Sequence, residues 1–326
     1  MIRLIIDCDP GNGVAGANVD DGLALALALS SPEITLEMVT TVAGNTPCQV
    51  GAHVAQKLLQ TMHCSAPVYQ GASQALVEPA APWRDLLDNG ARDKGLLHLW
   101  QNLPQQRDLP EQSPIAAYEL GRRVCESPGE ITVIAIGPLT NIAHAIQLFP
   151  SFSHAVKSLV IMGGVFNVTG YRKDTNFGID PEAAHVVLTS GANITLVPMD
   201  TTVQTMFRHQ DLDNIAAIDS PLCRFLVKTM RPWLDYSIQT RGLPGCWIHD
   251  VVTVAHLLAP ELSTYQYYYL DVVLEGALSR GMTLRQPLSG LKLPIGAPKP
   301  QGKAIKVLES IDNQALIDLI ISRLKR

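Results

Sequence analysis

With 326 residues the chain is long enough to bury a large core, and its formal charge of −5 gives no broad basic surface for nucleic acid or an anionic membrane, so a small-molecule partner is favoured. Six cysteines without a CxxC pair argue against a zinc cluster and a small disulfide scaffold, and predict buried thiols in a reducing compartment. The N-terminus lacks the long apolar region of a signal peptide and no apolar run is long enough to span a bilayer, so we expect a soluble, cytoplasmic protein.

Short β-rich apolar runs alternate with helical stretches from the N-terminus to residue 197. The predicted strands cover residues 4–6, 36–42, 131–136, 158–162 and 194–197, and the predicted helices cover residues 21–29, 48–62, 141–148 and 181–188. This alternation is typical of βαβ units. The strands are continuously apolar, as expected when helices cover both faces of a sheet. We therefore predict an α/β fold with an open, mostly parallel sheet flanked by helices.

Residues 78–114 interrupt this pattern. They are rich in Pro, Gln, Asp and Arg and show little periodicity, which predicts an irregular flap or surface loop. Residues 288–303 resemble another loop. Because the sequence has no internal repeat and no low-complexity tract, we predict a single domain over residues 1–326.

Polar or glycine-rich residues follow several of the predicted strands. They include Asp7, Asp9, Asn45, Thr140, Asn141, Met162 and Asp200. Ligands of open α/β sheets bind outside the carboxyl ends of the strands, so this recurrence favours a shared crevice. Turns need Gly, Pro and Asn in any case, and that interpretation is the better one for any single strand end, whereas the whole set favours a crevice.

Two pairs of aspartates lie near the N-terminus. Asp7 and Asp9 are two residues apart at the end of a strand, so an extended backbone would direct both side chains to one side. Asp20 and Asp21 open an apolar helix, where a carboxylate caps free N–H groups. Clustered carboxylates are costly unless a cation or a proton neutralises them, and oxygen ligands favour Ca²⁺ or Mg²⁺ over zinc. Spacing alone leaves open that these residues are only turns and a cap.

Seven short motifs occur in one order along nearly the whole chain. They are "DCDPG" with "DD" (residues 7–11 and 20–21), "TTVAGN" (40–45), "AIGPLTNIA" (135–143), "VIMGG" (160–164), "NFGIDPEAA" (176–184), "HD" (249–250) and "GMTL" (281–284). In this series the sequence resembles the nucleoside hydrolases of the inosine-uridine preferring type. The resemblance implies a Rossmann-like fold and hydrolysis of the N-glycosidic bond of ribonucleosides to ribose and free base.

The resemblance also implies a Ca²⁺ site and catalytic roles. Asp9, Asp21 and Asp250 would be carboxylate ligands of the ion, and Thr140 would contribute its backbone carbonyl. Asp9 would also take the proton of a metal-activated water that attacks the anomeric carbon. His249 would be the proton donor to the leaving base, because an unperturbed imidazole has a pKa near neutrality.

A further set of residues matches the family's substrate-binding positions. By resemblance, the ribose site comprises Asp20, Asn45, Met162, Asp174 and Asn176. A site that hydrogen-bonds sugar hydroxyls rejects analogues that lack them, so deoxynucleosides should be poor substrates. The family is commonly dimeric or tetrameric, and we expect a homodimer or homotetramer.

Three aromatic residues near His249 are candidates for stacking on the base. They are Trp233, Tyr236 and Trp247. Aromatic residues are also ordinary core components, so for each of them the two readings stay open. The remaining histidines match no catalytic position of the family, and we interpret them as structural.

The chain departs from the family pattern at several positions. Residues 12–19 form an eight-residue insertion where most members have one residue, and its glycines predict a loop that bulges outward. Asp174 replaces a longer Glu, Thr175 replaces an aromatic residue, and Val251 replaces a proline. The usual "HGxxG" flap element is absent. These changes bear on base preference and flap closure.

Two other functions are compatible with parts of the sequence. A haloacid dehalogenase-type phosphatase also has a DxD motif after its first strand, but Pro10 and Gly11 follow Asp9 here and the Asp20/Asp21 pair has no role in that mechanism. A nucleoside- or ribose-binding protein without catalysis would keep the pocket and leave the nucleoside intact.

Overall fold

A computed structural model describes residues 1–104, 110, 112–296 and 299–326 of the chain. Within these residues, nine strands form one sheet. The strands are β1 (Ile2–Cys8), β2 (Ile34–Thr41), β3 (Val68–Gln70), β4 (Ile131–Ala135), β5 (Ser158–Met162), β6 (Ile194–Val197), β7 (Ser263–Val272), β8 (Thr283–Pro287) and β9 (Ile305–Ile311). The predicted mostly parallel α/β sheet is confirmed.

The order of strands across the sheet is β3-β2-β1-β4-β5-β6-β9-β7-β8. All neighbours from β3 to β9 are parallel, whereas β7 pairs antiparallel with β9 and β8. The chain builds outward from β1 to β3 and then returns to the opposite side of β1 with β4. The carboxyl ends of β1 and β4 therefore form a topological switch point, where open α/β sheets bind ligands.

Helices cover both faces of the sheet. They are α1 (Asp20–Leu29), α2 (Cys48–Thr61), α3 (Ala81–Asp93), α4 (Ala116–Glu126), α5 (Thr140–Leu148), α6 (Phe152–Ala155), α7 (Thr175–Ile179), α8 (Pro181–Leu188), α9 (Met199–Thr202), α10 (His209–Ala216), α11 (Pro221–Arg241), α12 (Val251–Leu258) and α13 (Asn313–Leu324). One apolar core includes residues of α1, α11, α12 and α13, and a second includes residues of α4, α5 and α8. Nearly every residue of α1 is buried, since this helix is apolar all round.

The predicted irregular excursion at residues 78–114 is partly wrong. Its first half contains α3, a helix of 13 residues with Pro82 in its first turn, followed by a 3-10 turn at Leu97–Trp100. Proline is compatible with the start of a helix, where its missing N–H has no intrahelical partner. Residues 105–109 and 111 of the predicted flap lie outside the described part. The predicted loop at residues 288–303 has no helix or strand in its described residues.

The cysteines and the helices bear on two further predictions. All six cysteines lie in the described part, and each is a free thiol. Cys64 and Cys125 are only partly buried, so the prediction of buried thiols is wrong for these two. Cys64 lies in the loop after α2, and Cys125 lies in the last turn of α4. No helix in the described part of the chain has the length and apolar character needed to cross a membrane.

Candidate active site

Loops from several strands meet at the switch point between β1 and β4. Asp9 follows β1 directly and is 2% exposed. The β2 to α2 loop approaches it so closely that a Cβ on Gly44 would lie 1.9 Å from Asp9 Oδ2. The β4 to α5 loop lies on the other side, where a Cβ on Gly137 would lie 3.2 Å from the Asp9 carboxyl carbon. Glycine at position 44 is therefore what permits the loop to pack against this carboxylate.

Three buried carboxylates cluster beside Asp9. Asp20 and Asp21 open α1, and Asp250 precedes α12. One oxygen of each of these three side chains lies within 4.8 Å of the others. The backbone N–H of Asp9 donates to Asp21 Oδ1 at 2.9 Å, which places Asp9 next to the cluster. The close set thus contains Asp20, which the sequence analysis assigned to ribose, in addition to the expected ligands Asp21 and Asp250.

Burial and mutual repulsion dominate the electrostatics of this cluster. Burial raises the pKa of Asp9 to about 6, although the N–H of Asn45 opposes the increase. Burial likewise raises the pKa of Asp20 to about 6. The pKa values of Asp21 and Asp250 are raised well above the usual range, first by burial and then by the neighbouring negative charges. Four buried carboxyl groups side by side call for a proton or a cation.

The donor set fits a hard divalent cation. The clustered side chains offer only carboxylate oxygens, which Ca²⁺ and Mg²⁺ prefer. Asp20 Oδ2 accepts a hydrogen bond from the backbone N–H of Asp250 at 3.3 Å, but the buried Oδ1 of Asp20 has no hydrogen-bond partner among the described residues. A buried oxygen without a donor is costly unless a ligand satisfies it, so the residues present suit a cation.

Asp7 lies beneath this cluster, and its hydrogen bonds indicate a structural role. It is fully buried, and its Oδ1 accepts hydrogen bonds from Thr40 Oγ1 at 2.6 Å and from Asn141 Nδ2 at 2.8 Å. Burial raises the pKa of Asp7 to about 7. Asn141 also donates to the carbonyl of Thr41, so this network joins the ends of β1 and β2 to the start of α5.

The insertion at residues 12–19 is packed into the protein. The expected outward bulge is wrong, since none of these residues is fully exposed. Asn12 is 2% exposed and donates to Thr229 of α11 at 3.1 Å. Gly16 packs against Ala91 of α3, where an added Cβ would lie 3.3 Å away. Two helices that are distant in sequence therefore hold the loop inward.

Asn45 connects the insertion to Asp9. Its side-chain Oδ1 accepts the N–H of Asn18 at 2.8 Å, and its Nδ2 donates to the Asn18 carbonyl at 2.9 Å. The backbone N–H of Asn45 donates to Asp9 Oδ2 at 2.6 Å. The amide that the sequence analysis assigned to ribose thus anchors the loop, while the backbone of the same residue orients the Asp9 carboxylate.

Helix α3 covers this side of the site. The guanidinium of Arg84 donates to the carbonyls of Gly44 at 2.5 Å and of Asn45 at 3.1 Å. It also forms an ion pair with Asp88 at 2.8 Å. Burial raises the pKa of Asp9 overall, and the positive charge of Arg84 opposes that increase less than the hydrogen bond from Asn45 does. The helix is therefore attached to the loop that positions Asp9.

The other expected ribose residues lie at the ends of β5 and α7. Asp174 caps α7, and its carboxylate accepts the backbone N–H groups of Asn176 at 2.9 Å and of Gly164 at 2.8 Å. Asn176 Nδ2 donates to the carbonyls of Ile136 and Met162, each at 3.0 Å. These bonds tie the ends of β4 and β5 together and place Asn176 beside Met162.

Thr140, expected to offer its carbonyl to the ion, opens α5 and is 1% exposed. Its hydroxyl donates to Asp180 Oδ2 at 2.6 Å. The same carboxylate oxygen accepts the N–H of Leu76 at 3.0 Å. Asp180 thereby fixes the start of α5, the helix that follows β4.

His249 adjoins the cluster through Asp250. Its Nδ1 lies 2.6 Å from the hydroxyl oxygen of Thr202. Burial, and then the positive charge of Arg241, lower the pKa of His249 to about 3. These surroundings favour the neutral imidazole over its charged form.

The three candidate stacking residues have different surroundings. Trp247 has the surroundings that best match a stacking role, because its ring centroid lies 5.8 Å from that of His249. Trp233 and Tyr236 are buried and pack on each other at 5.5 Å, and Tyr236 also contacts Trp100 at 5.6 Å. These two belong to the core under α11. The guanidinium of Arg241 lies over the rings of both Trp233 and Trp247.

Sequence reasoning missed several residues of the site. Thr202 follows the polar end of β6, and this position is a weak indication of a site residue. Its partner His249 is remote in sequence, so local sequence did not indicate their contact. Arg84 and Thr229 lie in helices and resemble ordinary surface and core residues. Their roles depend on how α3 and α11 pack over the insertion, and no local sequence pattern indicates that packing.

Comparisons with known proteins agree with this geometry. The family described as inosine-uridine preferring nucleoside hydrolase matches residues 4–318. Probable uridine nucleosidase 2 of Arabidopsis thaliana is 33% identical over 328 residues, covering 99% of this chain and 97% of that protein. The pyrimidine-specific ribonucleoside hydrolase RihA of Escherichia coli is 30% identical over 330 residues, covering 99% and 98%.

Solved structures give the same result. A plant nucleoside hydrolase, the PpNRh1 enzyme, has a TM-score of 0.83 at 29% identity and covers 99% of both chains. A purine-preferring ribonucleoside hydrolase from Gardnerella vaginalis has a TM-score of 0.80 at 25% identity, with coverage of 99% of this chain and 98% of that one. The fold, the order of motifs and these matches show that the chain belongs to the inosine-uridine preferring nucleoside hydrolase family.

Proposed function

We propose that this protein hydrolyses the N-glycosidic bond of ribonucleosides at the aspartate cluster and releases ribose and a free base. The observation that carries this proposal is the convergence of three buried carboxylates, Asp20, Asp21 and Asp250, beside Asp9 at the switch point of the sheet. Family membership sets aside the phosphatase alternative.

The ion that we propose for this cluster is Ca²⁺. Asp20, Asp21 and Asp250 would hold it with their side chains, together with Asp9 and the backbone carbonyl of Thr140. A bound divalent cation would make a water molecule more acidic and would offset the negative charge of the carboxylates. The unpartnered oxygen of Asp20 and the raised pKa values of the cluster support this assignment.

Asp9 is the proposed general base. Its carboxylate is held by the backbone N–H of Asn45 at 2.6 Å, so it has one defined orientation. In the metal-free protein, burial raises the pKa of Asp9 to about 6, which makes its carboxylate a better proton acceptor than an exposed aspartate. Asp9 takes the proton of the water molecule as the oxygen attacks the anomeric carbon of ribose.

His249 assists the departure of the base from the opposite side of the sugar. It lies next to Asp250 and to the ring of Trp247, which offers an apolar wall for the base. Negative charge develops on the base as the bond breaks, and an imidazole N–H stabilises that charge by hydrogen bonding. Met162, Asp174 and Asn176 are the proposed ribose contacts at the ends of β5 and α7.

Pyrimidine ribonucleosides are the first substrates to test. The relatives at 33% and 30% identity are named a uridine nucleosidase and a pyrimidine-specific hydrolase, whereas the purine-preferring structure is 25% identical. We therefore propose uridine and cytidine ahead of inosine and guanosine.

A panel of purine and pyrimidine ribonucleosides, with the matching 2′-deoxynucleosides, tests this proposal by release of reducing sugar. We expect sugar release from uridine or cytidine and little from the deoxy forms. Phosphate release from a generic phosphomonoester is the control for phosphatase activity. Tight nucleoside binding without any sugar release would instead identify a binding protein and would refute the proposed activity.

A further inference from the structure

The contact between Thr202 and His249 has no role in the activity proposed so far. Thr202 is the last residue of α9, the short helix that follows β6, and it is fully buried. Its hydroxyl oxygen lies 2.6 Å from Nδ1 of His249, so one ring nitrogen of the histidine faces the interior. The other nitrogen, Nε2, makes no hydrogen bond to any residue that the structure describes.

Thr205 fixes the two partners relative to each other. Its hydroxyl donates to the carbonyl of Thr202 at 2.7 Å and accepts the backbone N–H of Ile248 at 3.0 Å. Thr205 is itself fully buried. The Thr205 side chain therefore joins the two backbone segments that carry Thr202 and His249, and it fixes the geometry of their contact.

The Thr202 hydroxyl carries one proton, which it can donate to one of two neighbouring acceptors. The hydroxyl has two acceptors within reach, Nδ1 of His249 at 2.6 Å and the carbonyl of Met199 at 3.3 Å. The Met199 carbonyl already accepts the backbone N–H of Val203 at 2.9 Å. The contact to Nδ1 is the shorter of the two, and a hydroxyl that donates there leaves the ring proton of the histidine on Nε2.

We propose that Thr202 is a positioning residue that holds His249 with its ring proton on Nε2 and directs that N–H at the leaving base. This inference rests on the proposed hydrolysis of ribonucleosides. A neutral imidazole carries one N–H, and the nitrogen that accepts a hydrogen bond cannot carry it. Donation by Thr202 to Nδ1 therefore selects the tautomer that presents a donor at Nε2.

The step remains balanced with a neutral histidine. When the bond between the anomeric carbon and the base nitrogen breaks, both electrons leave with the base. The Nε2–H of His249 donates a hydrogen bond to the resulting anionic base, which then takes its proton from water. The attacking water gives its proton to Asp9, and the hydroxide left when the base is protonated takes that proton from Asp9 and forms water. His249 therefore ends the step in the form in which it began.

Comparison of two substrates tests this role. Uridine has a poor leaving group, whereas p-nitrophenyl β-D-ribofuranoside releases a stable nitrophenolate that needs no help. For Thr202→Val we expect kcat on uridine to fall by about 10- to 100-fold, the scale of a lost hydrogen bond to a developing charge. Turnover of the nitrophenyl riboside should stay within about twofold of the unmodified protein, because base activation is not limiting there.

Two variants complete the experiment. Thr202→Ser keeps the hydroxyl and should restore turnover of uridine. Thr201→Val is the matched control, since Thr201 is also fully buried but its hydroxyl donates to the carbonyl of Leu308 at 2.6 Å, and it should change the two activities in parallel.

The outcomes separate this inference from the proposed function. Equal losses on both substrates for Thr202→Val, or no loss on uridine, would overturn the positioning role. If the unmodified protein cleaved neither substrate, the proposed hydrolysis itself would fail. Circular dichroism and thermal unfolding of each variant show whether it has folded.

Discussion

Single residues of the site differ in how far the sequence alone could identify them. Asp9, Asp20 and Asp21 were visible as carboxylates at a strand end and a helix start. Asp250 became a candidate only through the family resemblance, because it lies far along the chain and meets Asp20 and Asp21 only after folding. Spacing could not show that Asp20 belongs to the close set, since that depends on side-chain direction and on the backbone N–H of Asp250.

Removal of one clustered carboxylate should weaken cation binding. We expect Asp21→Asn to lower the affinity for Ca²⁺ by at least about 10-fold, since it removes one anionic oxygen ligand. Isothermal titration calorimetry measures this affinity. Asp85→Asn, on the exposed face of α3, is the matched control and should bind Ca²⁺ as the unmodified protein does. Unchanged Ca²⁺ affinity in Asp21→Asn would contradict the assigned site.

Loss of the proposed base should abolish turnover without unfolding the protein. For Asp9→Ala we expect kcat on uridine to fall by at least about 1,000-fold, because the water loses its proton acceptor and the cluster loses a carboxylate. The variant removes a buried group with a raised pKa, so the fold should persist. Initial rates and circular dichroism measure the two effects. Substantial residual turnover in a folded variant would refute the base assignment.

Among the elements, the insertion at residues 12–19 shows where local patterns stop being informative. Its glycines were compatible with an outward bulge, yet Asn45, Thr229 and Ala91 hold it inward. These partners come from three separate segments of the chain. Helix α3 was missed for a similar reason. Only Ala91 is buried in it, so its sequence shows little of the apolar periodicity that indicates a helix.

The attachment of α3 to the site should depend on Arg84. In Arg84→Ala the helix loses two hydrogen bonds to the carbonyls of Gly44 and Asn45. We expect faster amide hydrogen exchange in Ala81–Asp93 than in the unmodified protein, measured by mass spectrometry. Asp88→Ala removes only the exposed ion pair with Arg84 and should leave exchange nearly unchanged. Equal exchange in both variants would show that Arg84 does not anchor the helix.

For the molecule as a whole, the parallel part of the sheet was predictable and the antiparallel edge was not. Strands β1, β2, β4, β5 and β6 are short apolar runs, and alternation with helices indicated their parallel order. The three-residue strand β3 and the parallel strand β9 were not predicted. Strand β7 exposes four consecutive residues at its start, so it lacks a continuous apolar run. Its pairing with β8 and β9 joins segments that share no local signal.

The buried carboxylates should couple the stability of the whole protein to pH and to the ion. In metal-free protein the pKa of Asp7 is raised to about 7 and those of Asp9 and Asp20 to about 6. The folded state therefore binds more protons than the unfolded state above about pH 4, and this contribution lowers the free energy of unfolding as the pH rises towards about 7. Bound Ca²⁺ would offset the repulsion between the negatively charged carboxylates of the cluster.

Thermal unfolding with and without Ca²⁺ measures this coupling. We expect Ca²⁺ to raise Tm more at about pH 8 than at about pH 5, where protons compete for the same oxygens. An equal increase in Tm at both pH values would contradict the presence of these carboxylates in the ion site.

The most direct test of the central claim follows sugar release from uridine in one protein sample through chelation and reconstitution. The protein is assayed as purified, again after removal of divalent ions, and again after addition of Ca²⁺ or Mg²⁺, with ribose and uracil both quantified. We predict that chelation stops the reaction and that Ca²⁺ restores equal amounts of ribose and uracil. Sugar release that continues undiminished in chelated protein would contradict hydrolysis at a metal site formed by Asp9, Asp20, Asp21 and Asp250.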